Sequence, residues 1–298
     1  MADIEIRTLR ALSDLRPLVE LQRAFWGEDT ESVIPAQMMF SLANHGGHVL
    51  AAFDGDKPVG VLIGFLGTNM EDSRRPAMAN LQIVSKRMVV LPEYRGKQIG
   101  YRLKLAQRDI ALTQGVRLVV WTFDPLLALN AHLNVRKLGV ICPQYHEDYY
   151  GTEQQGGLTM LGSSDRLQAE WWVTGRRVEE RLFGKRGDLT LSHYREADTP
   201  ILNPTTVTAD GLLLPAEQIN MPSTSLALLE IPLDYTAMAD KNPKLARTWR
   251  LHTRILFKQI FATGFVVTDF IRETFEGRDR AFYLLSYNGP QFETFRMN

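Results

Sequence analysis

The sequence has only one cysteine, Cys142, in a chain of 298 residues, so it cannot form an internal disulfide bond. Low cysteine usage fits a reducing compartment, and we expect a cytoplasmic location. Cys142 lies in the apolar run VICP, which favours a small buried side chain over a reactive thiol.

The sequence also lacks an excess of charge: 34 basic residues balance 34 acidic ones. No general basic field is available to hold nucleic acid or an anionic membrane, and we expect neither as a partner. No window approaches the roughly 18 apolar residues of a membrane span. The N-terminal sequence MADIEIRTLR is charged early and has no apolar core of a signal peptide.

Several catalytic and binding motifs are missing. The six histidines form no H-x-x-x-H motif and no pair with cysteine, so no metal site is predicted. The nucleophile motif G-x-S-x-G is absent, which argues against an α/β-hydrolase. Neither the P-loop pattern nor the dinucleotide pattern G-x-G-x-x-G occurs.

What the sequence does contain is a strand–turn–helix pattern over residues 85–100, SKRMVVLPEYRGKQIG. The apolar run at 88–91 predicts a buried strand, and Pro92 ends it because proline has no N–H to donate. The helix that follows has Ile99, Leu103, Ala106 and Ile110 on one face. A glycine-containing turn before a helix start offers backbone N–H groups to a phosphate.

This segment resembles the acyl-CoA pyrophosphate loop of the GNAT superfamily of N-acyltransferases, written [Q/R]-x-x-G-x-[G/A] and often preceded by V-x-P-x-x. Val90, Pro92, Arg95 and Gly100 match the pattern, whereas Gln98 stands where the family usually has glycine. A side chain there could crowd a pyrophosphate or restrict a backbone that needs a positive φ. An ordinary strand–helix connection is the competing interpretation of the loop alone.

The order of predicted elements extends the resemblance. We expect a strand at the N-terminus, helices over 12–26 and 35–43, and strands over 48–53, 59–66 and 81–91. A helix over 98–114, a strand over 116–123 and a helix over 130–138 follow, giving the GNAT order β-α-α-β-β-β-α-β-α. The resemblance implies an α/β (α+β) GNAT fold, with a mixed, mostly antiparallel sheet and two central parallel strands that splay apart.

We predict two domains, a GNAT acyltransferase domain over 1–174 and a C-terminal extension over 175–298. The predicted order of elements in the extension is β-α-β-β, with a strand at 226–231, a helix from Pro243 and strands at 265–271 and 281–287. This order suggests a degenerate GNAT-like half packed on the first domain; an unrelated cap is the alternative.

The runs WTFDPL, NAHLNVRKLG, YHEDYYG and SDRLQAEW look like one GNAT subgroup of about this length. Some members of that subgroup use succinyl-CoA to acylate amino acids. The resemblance therefore implies acetyl-CoA or succinyl-CoA as cosubstrate and no metal. It implies that pantetheine binds the backbone of Met88, Val89 and Val90, and that Asn130 touches the CoA arm. The implied pyrophosphate site consists of Arg95, Gly96, Lys97, Gln98, Ile99, Gly100 and Tyr101.

The tyrosine that serves as leaving-group acid in many GNAT enzymes is replaced here by Val135. Tyr150 is the favoured substitute over Tyr145 and Tyr149, and His132 is an alternative acid. Asp124, after the second parallel strand, could receive the substrate amine or its proton, although Asp-Pro is also a common turn. Packing and capping are the competing interpretations of these residues.

Other polar residues are candidates for the acceptor site. The competing interpretation of each is an ordinary surface or structural role. They are Glu71 and Asp72 in a polar loop, Gln82 and Ser85 on the preceding strand, and Arg166, Arg176 and Arg177 as carboxylate partners.

We therefore predict an acyl-CoA-dependent N-acyltransferase in which the amine attacks the thioester directly in a ternary complex. The expected acceptor is a small-molecule amine, with an amino acid preferred. One alternative is a catalytically inactive acyl-CoA-binding protein, and another is a structural protein that binds no phosphate. The oligomeric state stays open, with a homodimer among the arrangements allowed.

Overall fold

The computed structural model describes residues 4–27, 32–69, 76–152, 159–185 and 187–287. The chain divides into two compact units. The first runs to Trp121 and includes Trp171–Gly175; the second contains Thr122–Thr152, Leu161–Glu170 and the chain from Arg176 onward. In these described ranges, no helix combines the length and the apolar character that crossing a bilayer requires.

The first unit is built on a mixed sheet with the strand order β1-β2-β3-β4-β5. Neighbouring strands are antiparallel except β4 and β5, which are parallel. The strands are β1 (Ile4–Thr8), β2 (His48–Asp54), β3 (Lys57–Thr68), β4 (Leu81–Val90) and β5 (Leu118–Phe123). The prediction of a mostly antiparallel sheet with one parallel pair is thus met in this unit.

Four helices accompany this sheet: α1 (Leu12–Leu15), α2 (Pro17–Trp26), α3 (Ala36–Asn44) and α4 (Ile99–Thr113). The single helix expected over 12–26 is in fact two helices, because Pro17 has no N–H to continue α1 and instead occupies the first turn of α2. The core contains Leu15, Leu18, Met39, Leu62 and Leu103, all fully buried.

Helix α4 follows β4 and carries polar residues on its buried face. Its buried side chains are Ile99, Leu103, Lys104, Gln107 and Ala111. The apolar stripe predicted for this helix included Ala106 and Ile110, which are only partly buried and pack at the edge of the core. The difference matters because it places an amine and an amide inside the first unit.

The second unit contains α5 (Ala128–Ala131), which continues into a π-helical segment, His132–Lys137. The strands of this unit lie in the order β7-β6-β11-β12-β10, and each strand is antiparallel to its neighbours. The strands are β6 (Ile141–His146), β7 (Arg166–Trp172), a small pair β8 (Thr206–Val207) and β9 (Leu213–Leu214), then β10 (Leu226–Ile231), β11 (Phe265–Phe275) and β12 (Arg278–Tyr287).

Four further helices are α6 (Arg176–Leu182), α7 (Leu191–Glu196), α8 (Tyr235–Lys241) and α9 (Pro243–Ala262). The predicted apolar stripe of α9 is buried, from Leu245 through Trp249 and His252 to Leu256 and Ile260. Strand β6 and helices α7 and α8 were not predicted. Pro143 interrupts the apolar pattern of β6, and both helices are too short to show a clear period.

Candidate active site

The loop between β4 and α4 has the backbone geometry of an anion site. Pro92–Tyr94 forms a single 3₁₀ turn, and α4 begins at Ile99. The N–H of Arg102 donates to the carbonyl of Gln98 at 3.0 Å. The N–H groups of Ile99, Gly100 and Tyr101 precede this first helical bond, so they have no acceptor within the helix. They lie at the positive end of the helix dipole and can donate to phosphate oxygens.

Two residues of this loop take the left-handed backbone conformation, Gly96 with a φ of 78° and Gln98 with a φ of 61°. The glycine adopts it without strain, and a Cβ added to Gly96 would meet no atom within 4 Å. Gln98 adopts it at the cap position of α4 with an exposed side chain. The departure from the GNAT pattern therefore falls at a position where the backbone needs a positive φ.

Basic side chains surround the loop and are held by aromatic rings. The guanidinium of Arg95 lies 5.1 Å from the ring centroid of Phe25, and its Nε donates to the carbonyl of Val90 at 3.4 Å. The ammonium of Lys97 lies 4.4 Å from the centroid of the Tyr94 ring. Both cations are exposed, so they can meet a charged phosphate in solvent.

Strands β4 and β5 are paired only at their start, through Ile83 with Val119 and Val84 with Val120. On its other edge β4 stays paired to β3 as far as Val90, with a bulge next to Ser85 that shifts the register. The β5-facing edge of β4 beyond Val84 is thus free of this strand pairing. Met88, Val89 and Val90, the predicted pantetheine residues, lie on this stretch.

A chain of buried polar side chains lies beside the point where the strands part. The ammonium nitrogen of Lys104 is 2.8 Å from Ser85 Oγ, 3.2 Å from Gln107 Oε1 and 3.4 Å from the ring centroid of Trp121. Gln107 Nε2 is 2.8 Å from Nε2 of His48. Burial lowers the pKa of Lys104 well below its usual value. The pKa of His48 is lowered to about 4, mainly by burial and to a smaller extent by the positive charge of Lys104.

In the second unit, Tyr150 lies within a group of polar residues that includes Thr122 and Arg166. Its hydroxyl is 3.4 Å from Thr122 Oγ1, and the guanidinium of Arg166 lies 5.3 Å from its ring centroid. The Tyr150 N–H donates to Ser164 Oγ at 2.9 Å, which fixes the backbone of the segment. Tyr150 is 39% exposed, so its hydroxyl face can meet a substrate.

Asp124 is buried in a two-point ion pair. Arg250 donates to both carboxylate oxygens, at 2.8 and 2.6 Å, and the N–H of Leu126 donates to Oδ1 at 2.9 Å. A second cation, Arg166, lies 3.8 Å away. Burial opposes the charge on Arg250, yet the contact with Asp124 raises its pKa above the ordinary arginine value. These contacts give Asp124 a structural role, and its predicted role in catalysis stays a prediction.

A second charged cluster centres on Asp165. Arg254 donates to it at 2.6 Å and also to Asp148 at 3.0 Å, while the hydroxyl of Tyr145 donates to Asp165. Burial raises the pKa of Tyr145, and the charge of Asp165 raises it further. The raised pKa makes Tyr145 a poor proton donor, and the preference for Tyr150 as the acid stays a prediction.

His132 lies in a different group of residues. Its side chain lines a cavity of about 390 Å³ with Arg272, Glu273, Thr274 and Asp279. Burial lowers the pKa of His132, and the positive charge of Lys137 lowers it further. Within the described ranges no hydrogen bond, ion pair or ring contact connects His132 with Tyr150 or Asp124, whereas Tyr150 and Asp124 both lie close to Arg166. Their roles stay predictions.

The remaining predicted residues take varied positions. Asn130 is exposed on α5, while Ile99 is 1% exposed and anchors the start of α4. Val135, at the usual acid position, is fully buried. Arg176 pairs with Glu180 on α6. Glu71 and Asp72 lie outside the described residues.

Cys142 is fully buried, and burial raises the pKa of its thiol, so a thiolate nucleophile is disfavoured there. No cluster of three potential metal ligands occurs in the ranges that the structure describes.

Sequence reasoning missed Lys104, Gln107, His48 and Trp121. It considered Ser85 only as a residue that faces the acceptor. A signal did exist, since Lys104 directly follows Leu103 and Gln107 lies one helical turn further. An isolated lysine on a helix normally lies at the surface, so the sequence alone did not point to its burial.

Residues 15–134, less than half of the chain, match the model of the acetyltransferase (GNAT) family. No curated protein matches the chain.

Solved structures are similar at low identity. They include the ribosomal-protein-S18-alanine N-acetyltransferase from Escherichia coli (14% identity, 58% of this chain and 95% of that chain, TM-score 0.44). An N-acetyltransferase from Staphylococcus aureus Mu50 has 15% identity over 58% of this chain and 99% of its own, with a TM-score of 0.43. Naa20 from Chaetomium thermophilum, in complex with a bisubstrate analogue, has 16% identity over 59% of this chain and 90% of its own, with a TM-score of 0.44.

The matched range includes β4, the loop that follows it and α4. With that match, the predicted GNAT fold class is confirmed over residues 15–134, and the predicted enzyme class, an N-acyltransferase, is supported.

Proposed function

We propose that the protein transfers an acetyl or succinyl group from acyl-CoA to the amine of a small acceptor, an amino acid being preferred. The observation that carries the proposal is the loop after β4. It combines free helix N–H groups at Ile99, Gly100 and Tyr101 with the exposed cations Arg95 and Lys97. This set of donors fits a pyrophosphate.

The pantetheine arm would extend from this loop along the edge of β4, where Met88, Val89 and Val90 are not paired to β5. Peptide groups on such an edge can hydrogen-bond the amides of the arm, as in strand addition. A backbone N–H at Val89 or Val90 would polarise the thioester carbonyl and stabilise the oxyanion that forms when the amine attacks.

Features of the second unit support a carboxylate-bearing acceptor. Arg166 and Arg250 place two guanidinium groups beside the carboxylate of Asp124. A substrate carboxylate would be attracted to this group through Arg166. Tyr150, which lies over Arg166 and is partly exposed, would donate a proton to the leaving thiolate.

The test is free-thiol release with acetyl-CoA and succinyl-CoA against D- and L-amino acids and simple amines. Arg95→Ala and Lys97→Ala should each raise the KM for acyl-CoA by roughly tenfold, the usual effect of losing a charged hydrogen bond. Arg247→Ala, an exposed arginine of α9, is the matched control and should leave the KM unchanged. Unchanged KM values in the loop variants would contradict the assigned phosphate site.

A catalytically inactive acyl-CoA-binding protein is the second candidate. It is favoured by Val135, which is fully buried where many family members have their acid. This candidate predicts a thermal shift with CoA and no thiol release with any amine. A ligand present at 100 times its Kd should stabilise the protein by about 2.7 kcal/mol.

A further inference from the structure

The feature that the proposed function leaves unused is the pair of Ser85 and Lys104. Ser85 is the β4 residue that directly follows the last pairing with β5, and Trp121 is the corresponding residue of β5. Lys104 Nζ lies against both, 2.8 Å from Ser85 Oγ and 3.4 Å from the ring centroid of Trp121. The amine therefore lies at the closed end of the gap between the two strands.

The contacts around Lys104 meet the requirements of a base that activates a hydroxyl. A nucleophile and its base lie within hydrogen-bond distance, and a third group orients the base. Here Gln107 Oε1, 3.2 Å from Nζ, is the orienting group. Gln107 is itself held by His48 at 2.8 Å, and both are buried. The Trp121 ring covers the remaining side of the amine.

The environment favours an unprotonated amine. Lys104 is 1% exposed, and its hydrogen-bond partners, Ser85 and Gln107, are uncharged. The only other titratable group in this chain of contacts is His48, which burial keeps neutral above a pKa of about 4. Lys104 Nζ donates to Ser85 Oγ at 2.8 Å; once Nζ has lost its proton, the same distance lets the Ser85 hydroxyl donate its hydrogen to the amine.

We propose that Ser85 and Lys104 form a nucleophile–base pair that accepts the acyl group of acyl-CoA on Ser85 Oγ and passes it to water. The proposal rests on the proposed function for the binding of acyl-CoA by the loop at 95–100 and the free edge of β4. It places the thioester carbonyl beside Ser85, further along β4 than the N–H of Val89 or Val90 that would polarise this carbonyl during transfer to an amine. The protein then has an acyl-CoA thioesterase activity that needs no amine acceptor.

The reaction has two balanced steps. Lys104 takes the hydroxyl proton while Ser85 Oγ attacks the thioester carbonyl; the C–S bond breaks, and the Lys104 ammonium returns a proton to the thiolate, giving CoA thiol and an ester. Lys104 then takes a proton from water as the hydroxide attacks the ester. The C–O bond breaks, Ser85 regains its proton from Lys104, and a carboxylic acid leaves. Such a base contributes a factor of roughly 100 or more to the rate.

The test uses the full chain with acetyl-CoA and no amine. Thiol release is followed in solution, and acid-quenched samples are analysed by intact mass and peptide mapping before and after hydroxylamine treatment. The expected result is one acetyl group on Ser85, removed by hydroxylamine because it is an ester. Ser85→Ala and Lys104→Met should lower thiol release by roughly 100-fold.

The controls are Ser41→Ala and Lys241→Met, two exposed positions on other helices, which should release thiol at the wild-type rate. Ser85→Cys keeps a nucleophile beside Lys104 and should accumulate a thioester at the same position. Far-UV circular dichroism and a thermal shift with CoA establish that each variant is folded and binds the nucleotide.

The outcomes separate this inference from the proposed function. If CoA binds and amines are acetylated, but thiol release without amine is unaffected by Ser85→Ala, the nucleophile–base pair is wrong and the N-acyltransferase stands. A hydroxylamine-resistant acetyl group on Lys104 also overturns the pair, since the amine would then be an acceptor. Absence of CoA binding overturns both proposals.

Discussion

The two units bury polar side chains in opposite ways. In the first unit, Lys104 is surrounded by the neutral groups of Ser85, Gln107 and Trp121. In the second unit, the buried charge of Asp124 is matched by Arg250 through two hydrogen bonds. A charge matched by an opposite charge keeps its ionised state and fixes structure, whereas an amine among neutral groups is driven to lose its proton. The first environment favours an amine that can accept a proton, and the second favours an ion pair that stabilises the fold.

The largest effect is expected from breaking the charge pair of the second unit. Arg250→Met should destabilise the protein by about 3–5 kcal/mol, because it leaves Asp124 buried without its main partner. Urea unfolding measures this change. Arg7→Met, which breaks an exposed pair with Glu5, is the control and should leave the free energy of unfolding close to that of the wild type. Equal effects of the two substitutions would show that the Asp124 contact is not a buried ion pair.

The neutral network of the first unit should appear in the acid dependence of stability. His48 has a pKa of about 4 in the folded state against 6.5 when exposed, so the unfolded state binds the proton more tightly. Stability is therefore full above pH 6.5 and falls as the pH drops toward 4, by roughly 3 kcal/mol for this group. Chemical unfolding at several pH values measures this slope.

His48→Gln should remove the His48 part of the slope while keeping a hydrogen-bonding group beside Gln107. His45→Asn, at an exposed position nearby in sequence, is the control and should leave the slope as in the wild type. A slope that survives His48→Gln unchanged would contradict the neutral network.

A smaller effect is expected from Gly64, which lets β3 approach this network closely. A Cβ at Gly64 would lie 2.5 Å from His48 Nε2 and 2.8 Å from Gln107 Nε2. Gly64→Ala should therefore destabilise the protein by about 1–3 kcal/mol, the usual cost of overpacking. Gly187→Ala, where a Cβ meets no atom within 4 Å, is the control in thermal unfolding. A stable Gly64→Ala protein would mean that the network is loosely packed.

The smallest effect concerns Gln98 in the phosphate loop. Because Gln98 has a φ of 61°, Gln98→Gly should stabilise the protein by up to about 1 kcal/mol. Lys97→Gly should instead destabilise it by about 0.5–1 kcal/mol, since Lys97 is not among the residues with positive φ and glycine only adds freedom to the unfolded chain. The same direction of change for both variants would argue against strain at Gln98. Differential scanning fluorimetry with and without CoA follows both effects.

The sequence predicted most of the first unit because its strands and α4 have clear apolar periods and are bounded by glycine and proline. The loop at 95–100 could be located for the same reason, since turn residues and a helix start are local features; its binding of phosphate stays a prediction. Strand β6 was missed because Pro143 interrupts its apolar pattern. The break between α1 and α2 was missed because a proline such as Pro17 is also common in the first turn of a helix, so it does not by itself mark where one helix ends and the next begins.

The candidate catalytic residues were harder to rank, since each role depends on a partner far away in the chain. From the sequence, Asp124 was a possible binding site for the substrate amine, and only the fold shows that Arg250 pairs with it. Tyr145 and Tyr150 look alike in the run YHEDYYG, yet the structure gives one a buried carboxylate and leaves the other partly exposed.

The sequence by itself determined the element order, the loop at 95–100 and the departure at Gln98, because short-range backbone preferences decide where strands, turns and helices begin. Only the tertiary structure decided that Lys104 loses contact with water and meets Ser85, since burial of one side chain depends on how α4 packs against β2, β3 and β4. The ionisation state of that amine follows from its packing, and packing is a property of the folded chain.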